Sequence, residues 1–524
     1  MLTMRDRASW LLALGVSLAV VIAALAPYLL AEQLAHPGVF SGFLINPVDG
    51  FSYLAKMRQG LDGSWSFHLP YSSEPGPGAF IFTFYLFLGN LARWLNISLL
   101  PIYYAARFVA GFAMFCLAYF FYDQVFEEKY LKWIATLLTM FGSGLGWLAI
   151  PFGVQASDLS IPESIPFLTA YTNAHFPFAA AVMLGAVLSV IKKDRTRLRG
   201  AAALICGMLL GIVLPFSVIS LTISLGIWLV WEGFHQGWSG LTAFIRKQST
   251  HLIPYLALIM GALPWLIYDL WLARSHPSLS VWNAQNITPS PPLIDYVIGY
   301  GLILVLTILG IMRIGTRGQS RDRLFLSWAL SNLILLYMPF NFQRRLTLGL
   351  FFPLAGLAAL GLERIAGERA KIRATLILLL ILSVPSNLIV IGAGISGVQR
   401  QDPSVVHLQG ELEGYAWIDG NTPPGSLILA SPEIGNRLPA FADVRVLYGH
   451  PFETPYADTQ KSLVVSLYAW EGSIAEAINL LDQLDLDYVF FGERERVLGQ
   501  PEWIGGLPLV FESQGVEIYE VTFP

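Results

Sequence analysis

Long apolar runs recur through the first four hundred residues, near 9–31, 80–97, 102–122, 131–150, 174–191, 201–232, 252–273, 293–313, 324–340, 346–362 and 373–396. A helix needs roughly 20 apolar residues to cross a bilayer, and most of these runs reach that length. No soluble domain tolerates so many. The 201–232 run is broken at Leu214-Pro215-Phe216 and is expected to form two spans meeting at the break. Only 13% of the 524 residues are charged and 55% are hydrophobic. The expected fold is therefore a polytopic α-helical membrane protein with about 11–13 membrane helices.

Arg5 and Arg7 precede the first run, which extends from Ala8 to about Ala31. That is too long for the core of a cleaved signal, so it reads as a retained anchor. Lys and Arg collect in 191–199, 245–251, 313–323 and 363–373, which places these loops in the cytoplasm together with the N-terminus. Segments 32–79, 151–173, 274–292, 341–345 and everything after 397 then lie outside. Counting 80–97 as a full crossing would put the C-terminal segment on the wrong side. That run is accordingly expected to be re-entrant or to lie in the interface.

From Asp402 onward the character changes. Residues 402–524 hold 19 Asp and Glu against 5 Lys and Arg, whereas the remainder of the chain is net basic. Neither part has the look of a nucleic-acid surface. The stretches 425–431, 444–449, 486–492, 508–513 and 516–521 read as strands, and 459–470 and 473–484 have helical periodicity. The expected division is a membrane domain over 1–400, which includes the long first outer loop 32–79, and a small extracytoplasmic α/β domain over 401–524. Cys116 and Cys206 sit inside apolar runs and offer neither a disulfide nor a metal site.

The first outer loop contains NPVDGFSYLAKMRQG, residues 46–60. Phe51, Leu54, Ala55 and Met57 fall at near-helical spacing, so 49–60 is expected to be a short amphipathic helix on the membrane surface. Asp49 at its head is the candidate reacting carboxylate, although an Asp in that place is also a common helix cap. Lys56 and Arg58 suit either lipid headgroups or a donor phosphate. The next long outer segment carries Asp158 and Glu163, with His175 just beyond, and His68 lies in the first. Lone histidines and loop carboxylates are more often structural than functional. Asp49, Asp158 and His175 could hold a divalent cation, but no spacing demands one. Arg344 and Arg345, in NFQRR, break the positive-inside trend at an outer mouth. A phosphate or pyrophosphate group would match their guanidinium forks, and a snorkelling pair is the plain alternative.

A long first outer loop with an aspartate, a second acidic outer segment, a late RRLTLGLFFPLAGLAAL helix (344–360) and a terminal α/β domain together resemble the GT-C superfamily of membrane glycosyltransferases. Its members include protein O-mannosyltransferases and lipid A aminoarabinose transferases. DGFSYLAKMRQG (49–60) is similar to their first-loop motif, and PGPGAFIFTFYLFLGNLARWL (75–95) stands where they carry a Pro-rich turn into an apolar helix. The resemblance implies an inverting transfer from a polyprenyl-phosphate sugar to a lipid, glycan or protein acceptor on the outer face of a bacterial plasma membrane. It implies Asp49 as base, Asp158 as a weaker second acidic match, and Arg344 with Arg345 as lipid-phosphate contacts. Lys56, Arg58, His68, Glu163 and His175 are the remaining substrate-binding candidates. Asp49 is followed by Gly rather than by a second acid, a departure from members with a DE pair. The absence of a Gly-rich phosphate loop agrees with a lipid-borne donor. A transporter would place ionisable or Gly/Pro-broken groups at mid-membrane, and only Pro215 and Pro264 do so. A non-catalytic envelope assembly protein would tolerate Asp49→Asn.

Overall fold

The computed structural model describes residues 4–192, 194–235, 240–314 and 318–521. Parts of two basic loops, Lys193 and Arg317, lie outside the described residues. Among the described residues, seven helices are long and apolar enough to cross a membrane: Arg7–Leu34, Leu99–Val125, Thr196–Val213, Pro215–His235, Ile245–Ser275, Leu293–Ile314 and Arg369–Gln399. A bent pair, Lys129–Phe141 with Gly146–Phe152, would make an eighth. The chain is a polytopic membrane protein. Fewer helices qualify than there are apolar runs because several runs form shorter helices, such as His175–Ile191, Ser320–Leu335 and Phe351–Ala366, with many of their residues buried inside the protein. The 201–232 run does divide at Leu214, with Pro215 opening the second helix.

The chain forms two compact units. One comprises Met1–Pro27, Tyr104–Tyr268 and Thr288–Ala393; the other comprises Tyr28–Tyr103, Asp269–Ile287 and Gly394–Pro524.

In the first unit, polar groups buried between helices find one another. Across Pro215–His235 and Ser320–Leu335, Ser220 donates to Asn332 at 2.6 Å, Ser224 meets Ser331 at 2.6 Å, and Arg323 pairs with Glu232 at 2.8 Å. Such bonds matter in lipid because hydrocarbon offers no substitute partners. Helices Leu293–Ile314 and Phe351–Ala366 approach until their backbones touch. A Cβ on Gly310 would lie 2.0 Å from the Leu357 carbonyl, and one on Gly361 would lie 1.9 Å from that of Leu306.

The second unit is built on a five-stranded sheet of β1 (Ser426–Leu429), β2 (Val444–Val446), β3 (Tyr488–Phe491), β4 (Leu509–Ser513) and β5 (Val516–Glu520). Their order is β2-β1-β3-β5-β4, parallel through the first three and antiparallel thereafter. These are the five strands expected from alternation. Side chains alternate between faces, so each face has its own core. Leu427, Leu429, Val489 and Phe491 pack with Val464, Leu467, Ala477 and Leu481 of the helices Ala457–Tyr468 and Ile474–Gln483. On the other face Ile428, Phe490 and Ile518 meet Tyr415 and Ile418, and also Ala55 and Tyr71 of the segment 32–79. The loop is hydrogen-bonded to the C-terminal segment as well: Ser41 N–H donates to the Val405 carbonyl, Val446 N–H to that of Pro70, and Val39–Phe40 pairs antiparallel with Val406–His407.

Helix Pro47–Leu61 is therefore interior to this unit. Eight of its fifteen residues are buried, which corrects the expectation that it lies on the membrane surface. Phe51, Leu54, Ala55 and Met57 face protein rather than lipid. Helix Thr83–Leu95 packs against it so closely that Cβ atoms on Gly60 and Gly89 would sit 2.2 Å and 1.9 Å from opposing carbonyls. The 80–97 run thus forms a thirteen-residue helix that is too short to span.

A buried ion cluster closes this unit near the start of the C-terminal segment. Arg494 Nε donates to Glu411 at 2.6 Å, and Arg437 reaches the same carboxylate at 3.3 Å and His407 Nδ1 at 3.1 Å. Burial, reinforced by the two guanidiniums and opposed by Glu411, drops His407 to about 4. Burial would raise Glu411, but His407, Arg494 and Arg437 hold it at about 2. Both shifts act in one direction. His407 charges more readily in the unfolded chain, so stability falls as pH drops from its ordinary value of 6.5 towards 4. The Glu411 contribution is complete above 4.5 and is lost as pH falls on towards 2. The melting temperature of the purified protein in detergent is expected to be flat above neutrality and to fall progressively below pH 6.5; a flat profile down to pH 4 would contradict this.

Candidate active site

Asn46 turns the chain into helix Pro47–Leu61 with left-handed backbone angles (φ 48°) that Asn tolerates, and Pro47 occupies the first helical position. Asp49 therefore falls in the first turn, where the helix dipole favours an anion, and not at the cap. Its side chain is 42% exposed. Positions 49, 52 and 56 follow at i, i+3 and i+7, so Asp49, Ser52 and Lys56 line one face.

That face meets the turn 449–454, which leaves the C-terminal end of β2. His450 Nε2 lies 3.2 Å from Asp49 Oδ1. Glu453 receives Lys56 Nζ on both oxygens, at 2.7 and 2.9 Å, and the Ser52 hydroxyl at 2.9 Å. Lys56 also donates to the Ser52 hydroxyl at 2.9 Å and lies 4.4 Å from the centre of the Phe82 ring. Burial pulls the Lys56 ammonium below its ordinary value, with Glu453 and Asp49 opposing. Burial would raise the Glu453 carboxyl, yet its neighbours, Lys56 foremost, hold it below the ordinary glutamate value. The contacts are those of an ionised pair sealed from water.

Lys56, expected to meet substrate, is thus fully engaged within the protein. Arg58 bridges Asp62 at 2.9 Å and Asp419 at 2.7 Å and donates to the Phe441 carbonyl at 2.7 Å. His68 is exposed, and its backbone pairs with the Gln59 side chain.

The remaining candidates belong to the first unit. Asp158 is fully buried, and its Oδ2 accepts the N–H groups of Gly144 and Gly146, both at 3.1 Å. Burial raises its pKa, opposed by the Ser386 side chain and by these amides. A Cβ on Gly146 would lie 2.2 Å from the carboxylate. This is the geometry of a staple that fixes a sharp backbone turn, and it turns the carboxylate away from solvent. Glu163 is buried and His175 is half-buried against Phe176. Tyr296 interacts electrostatically with both Glu163 and Arg344. Arg344 N–H donates to the Thr288 carbonyl at 3.1 Å, while its buried Nε has no hydrogen-bond partner. The Arg345 guanidinium lies over the Phe216 ring at 5.0 Å, next to the Pro215 break.

Sequence reasoning missed His450 and Glu453. The available signal was positional: GHPFET follows directly on a parallel strand, and loops at the C-terminal ends of parallel strands are where α/β sheets place their ligands.

A metal does not fit these residues. Among the described residues no group of three or more His, Cys, Asp and Glu side chains is placed to share an ion. His450 Nδ1 accepts two backbone N–H groups, from Phe452 at 3.1 Å and Glu453 at 3.2 Å. A neutral imidazole so held carries its proton on Nε2, which therefore has no lone pair for a cation at Asp49.

The Lys56–Glu453 pair is the testable element. Lys56→Met strands a buried carboxylate and is expected to cost about 3–5 kcal/mol of unfolding free energy. The double variant Lys56→Met/Glu453→Leu should recover a substantial part, measured by thermal melting in detergent. Equal losses in the single and double variants would show the pair to be uncoupled.

Solved structures share the fold. The oligosaccharyltransferase of Archaeoglobus fulgidus, in its apo form, matches with a TM-score of 0.58 at 12% identity, over 94% of this chain and 72% of that one. ArnT from Cupriavidus metallidurans, solved with undecaprenyl phosphate, matches at 0.53 and 10% identity, over 96% and 97% of the two chains. The mycobacterial arabinofuranosyltransferase AftD matches at 0.57 and 15% identity, over 99% of this chain and 40% of that one. Other structures of the A. fulgidus enzyme contain zinc and sulfate, or a dolichol-phosphate with an inhibitory peptide. No family model and no curated protein matches the sequence. This chain shares the fold of these membrane enzymes, which is the kind of fold the sequence resemblance implied.

Proposed function

We propose that this protein is a membrane glycosyltransferase that moves a sugar from a polyprenyl-phosphate donor to an acceptor on the extracytoplasmic face, with inversion. The observation that carries this reading is Asp49: a half-exposed carboxylate, set in the first turn of a rigid helix and faced by a buried histidine, in a fold shared with three sugar transferases. Asp49 takes the proton of the acceptor hydroxyl. The acceptor oxygen bonds to the anomeric carbon as the bond from that carbon to the phosphate oxygen breaks, and the polyprenyl phosphate leaves with the electron pair. Arg344 and Arg345 serve the lipid phosphate, whose growing charge guanidinium groups stabilise where water is scarce. The unpartnered Arg344 Nε supports that assignment.

The isoprenoid tail needs an apolar berth. Helices Pro215–His235 and Leu241–Ser275 flank a groove of about 680 Å³ lined by Val218, Thr222, Gly226, Val230, Tyr255 and Ile259, which suits it. The N-terminus is cytoplasmic and the sheet-bearing unit extracytoplasmic in this reading, in a bacterial plasma membrane. No step passes through a divalent cation, because the residues at Asp49 do not fit one.

Purified protein incubated with a panel of polyprenyl-phosphate sugars and envelope acceptors should release polyprenyl phosphate with one of them. Asp49→Asn should lower the rate by about 10²–10⁴ while the melting temperature stays near wild type. Undiminished transfer by Asp49→Asn would remove Asp49 from the mechanism. Arg344→Ala should lower turnover by about 10²–10³, as expected for loss of a fixed donor to a developing charge; an unchanged rate would separate Arg344 from the phosphate.

A further inference from the structure

We propose that His450 is the positioning residue for Asp49, acting as a neutral imidazole whose Nε2–H holds one carboxylate oxygen; this rests on the reading of Asp49 as the base. Three features carry the assignment.

The first is the tautomer. Nδ1 accepts N–H bonds from Phe452 and Glu453, so the proton of the neutral ring sits on Nε2, directed at Asp49 Oδ1 3.2 Å away. A neutral donor orients the carboxylate without adding a full positive charge against its basicity.

The second is rigidity. The ring is buried and stacked on Tyr71, with 6.0 Å between centres and 29° between planes. Tyr71 is itself held by donation to the Asn436 carbonyl at 3.1 Å. Gly449 permits this stack, since a Cβ there would lie 2.3 Å from the Tyr71 ring. The turn closes on itself: Thr454 Oγ1 accepts the N–H groups of Gly449 and His450 at 3.2 and 3.1 Å, and Thr454 N–H returns to the His450 carbonyl at 3.0 Å.

The third is registration. The turn is fastened to the Asp49 helix at two places on one face, by Glu453 on Ser52 and Lys56 and by His450 on Asp49. Glu453 and Lys56 fix the distance, and His450 uses it. Nothing in a purely structural turn requires an imidazole with its protonated nitrogen facing the half-exposed carboxylate.

The test uses full-length protein, two variants and one spectrum. His450→Phe keeps a stacking ring and loses both the Nε2–H donor and the Nδ1 acceptor; His450→Gln restores a side-chain N–H and an acceptor oxygen. His450→Phe is expected to melt somewhat below wild type, because the Phe452 and Glu453 N–H groups lose their acceptor, yet to bind donor with an unchanged KM while kcat falls at least tenfold; His450→Gln should recover most of kcat. In ¹⁵N-histidine-labelled protein, the His450 resonances, assigned by their loss in His450→Gln, should show a bare Nδ1 and a protonated Nε2 near neutral pH. A proton on Nδ1, a doubly protonated ring, or a His450→Phe variant with wild-type kcat would each overturn the proposal. Should the wild-type protein transfer no sugar, the transferase reading falls. The spectrum is independent of that result, and it alone then decides whether His450 presents its N–H to Asp49.

Discussion

Placing Lys56 and Glu453 together out of water is the commitment on which the rest of the sheet-bearing unit depends. Desolvating two opposite charges costs several kcal/mol per ion, and only close geometry with further hydrogen bonds offsets it. Both are present here: two short N–H···O contacts, a serine hydroxyl shared by both partners, and an aromatic face beside the ammonium. The pair joins residues 397 positions apart. It makes helix Pro47–Leu61 and a turn of the C-terminal segment one rigid piece. His450, three residues from Glu453, can address Asp49 because that piece is rigid.

Two aspartates show how environment, not residue type, assigns roles. Asp158 is enclosed, spends Oδ2 on two glycine amides and fixes a turn where a Cβ on Gly146 would strike the carboxylate. Asp49 keeps a large part of its side chain in solvent and faces the His450 imidazole. The first is suited to holding backbone, the second to exchanging a proton with something that arrives from outside.

Much of the architecture was legible because it rests on local patterning. The apolar runs, the proline break at Leu214-Pro215 and all five sheet strands follow from periodicity and composition. Helix Pro47–Leu61 was legible as a helix but not as an interior one. Its apolar face looks alike whether it meets lipid or protein, and distant residues such as Phe441 and His407 decide that. Lys56 read as a surface cation because its partner lies far along the chain. His450 and Glu453 carried no local signal beyond their place after a parallel strand. The long-range pairings that build the site are what a single sequence hides.

The proposed reaction has one stereochemical consequence. In it the acceptor oxygen enters opposite the departing phosphate, so the anomeric centre inverts in one step. The most direct measurement is the anomeric configuration of the product, read from its H1–H2 coupling against that of the donor where the sugar allows. Inversion is the predicted result; a retained configuration would contradict attack opposite the phosphate by an acceptor that Asp49 deprotonates.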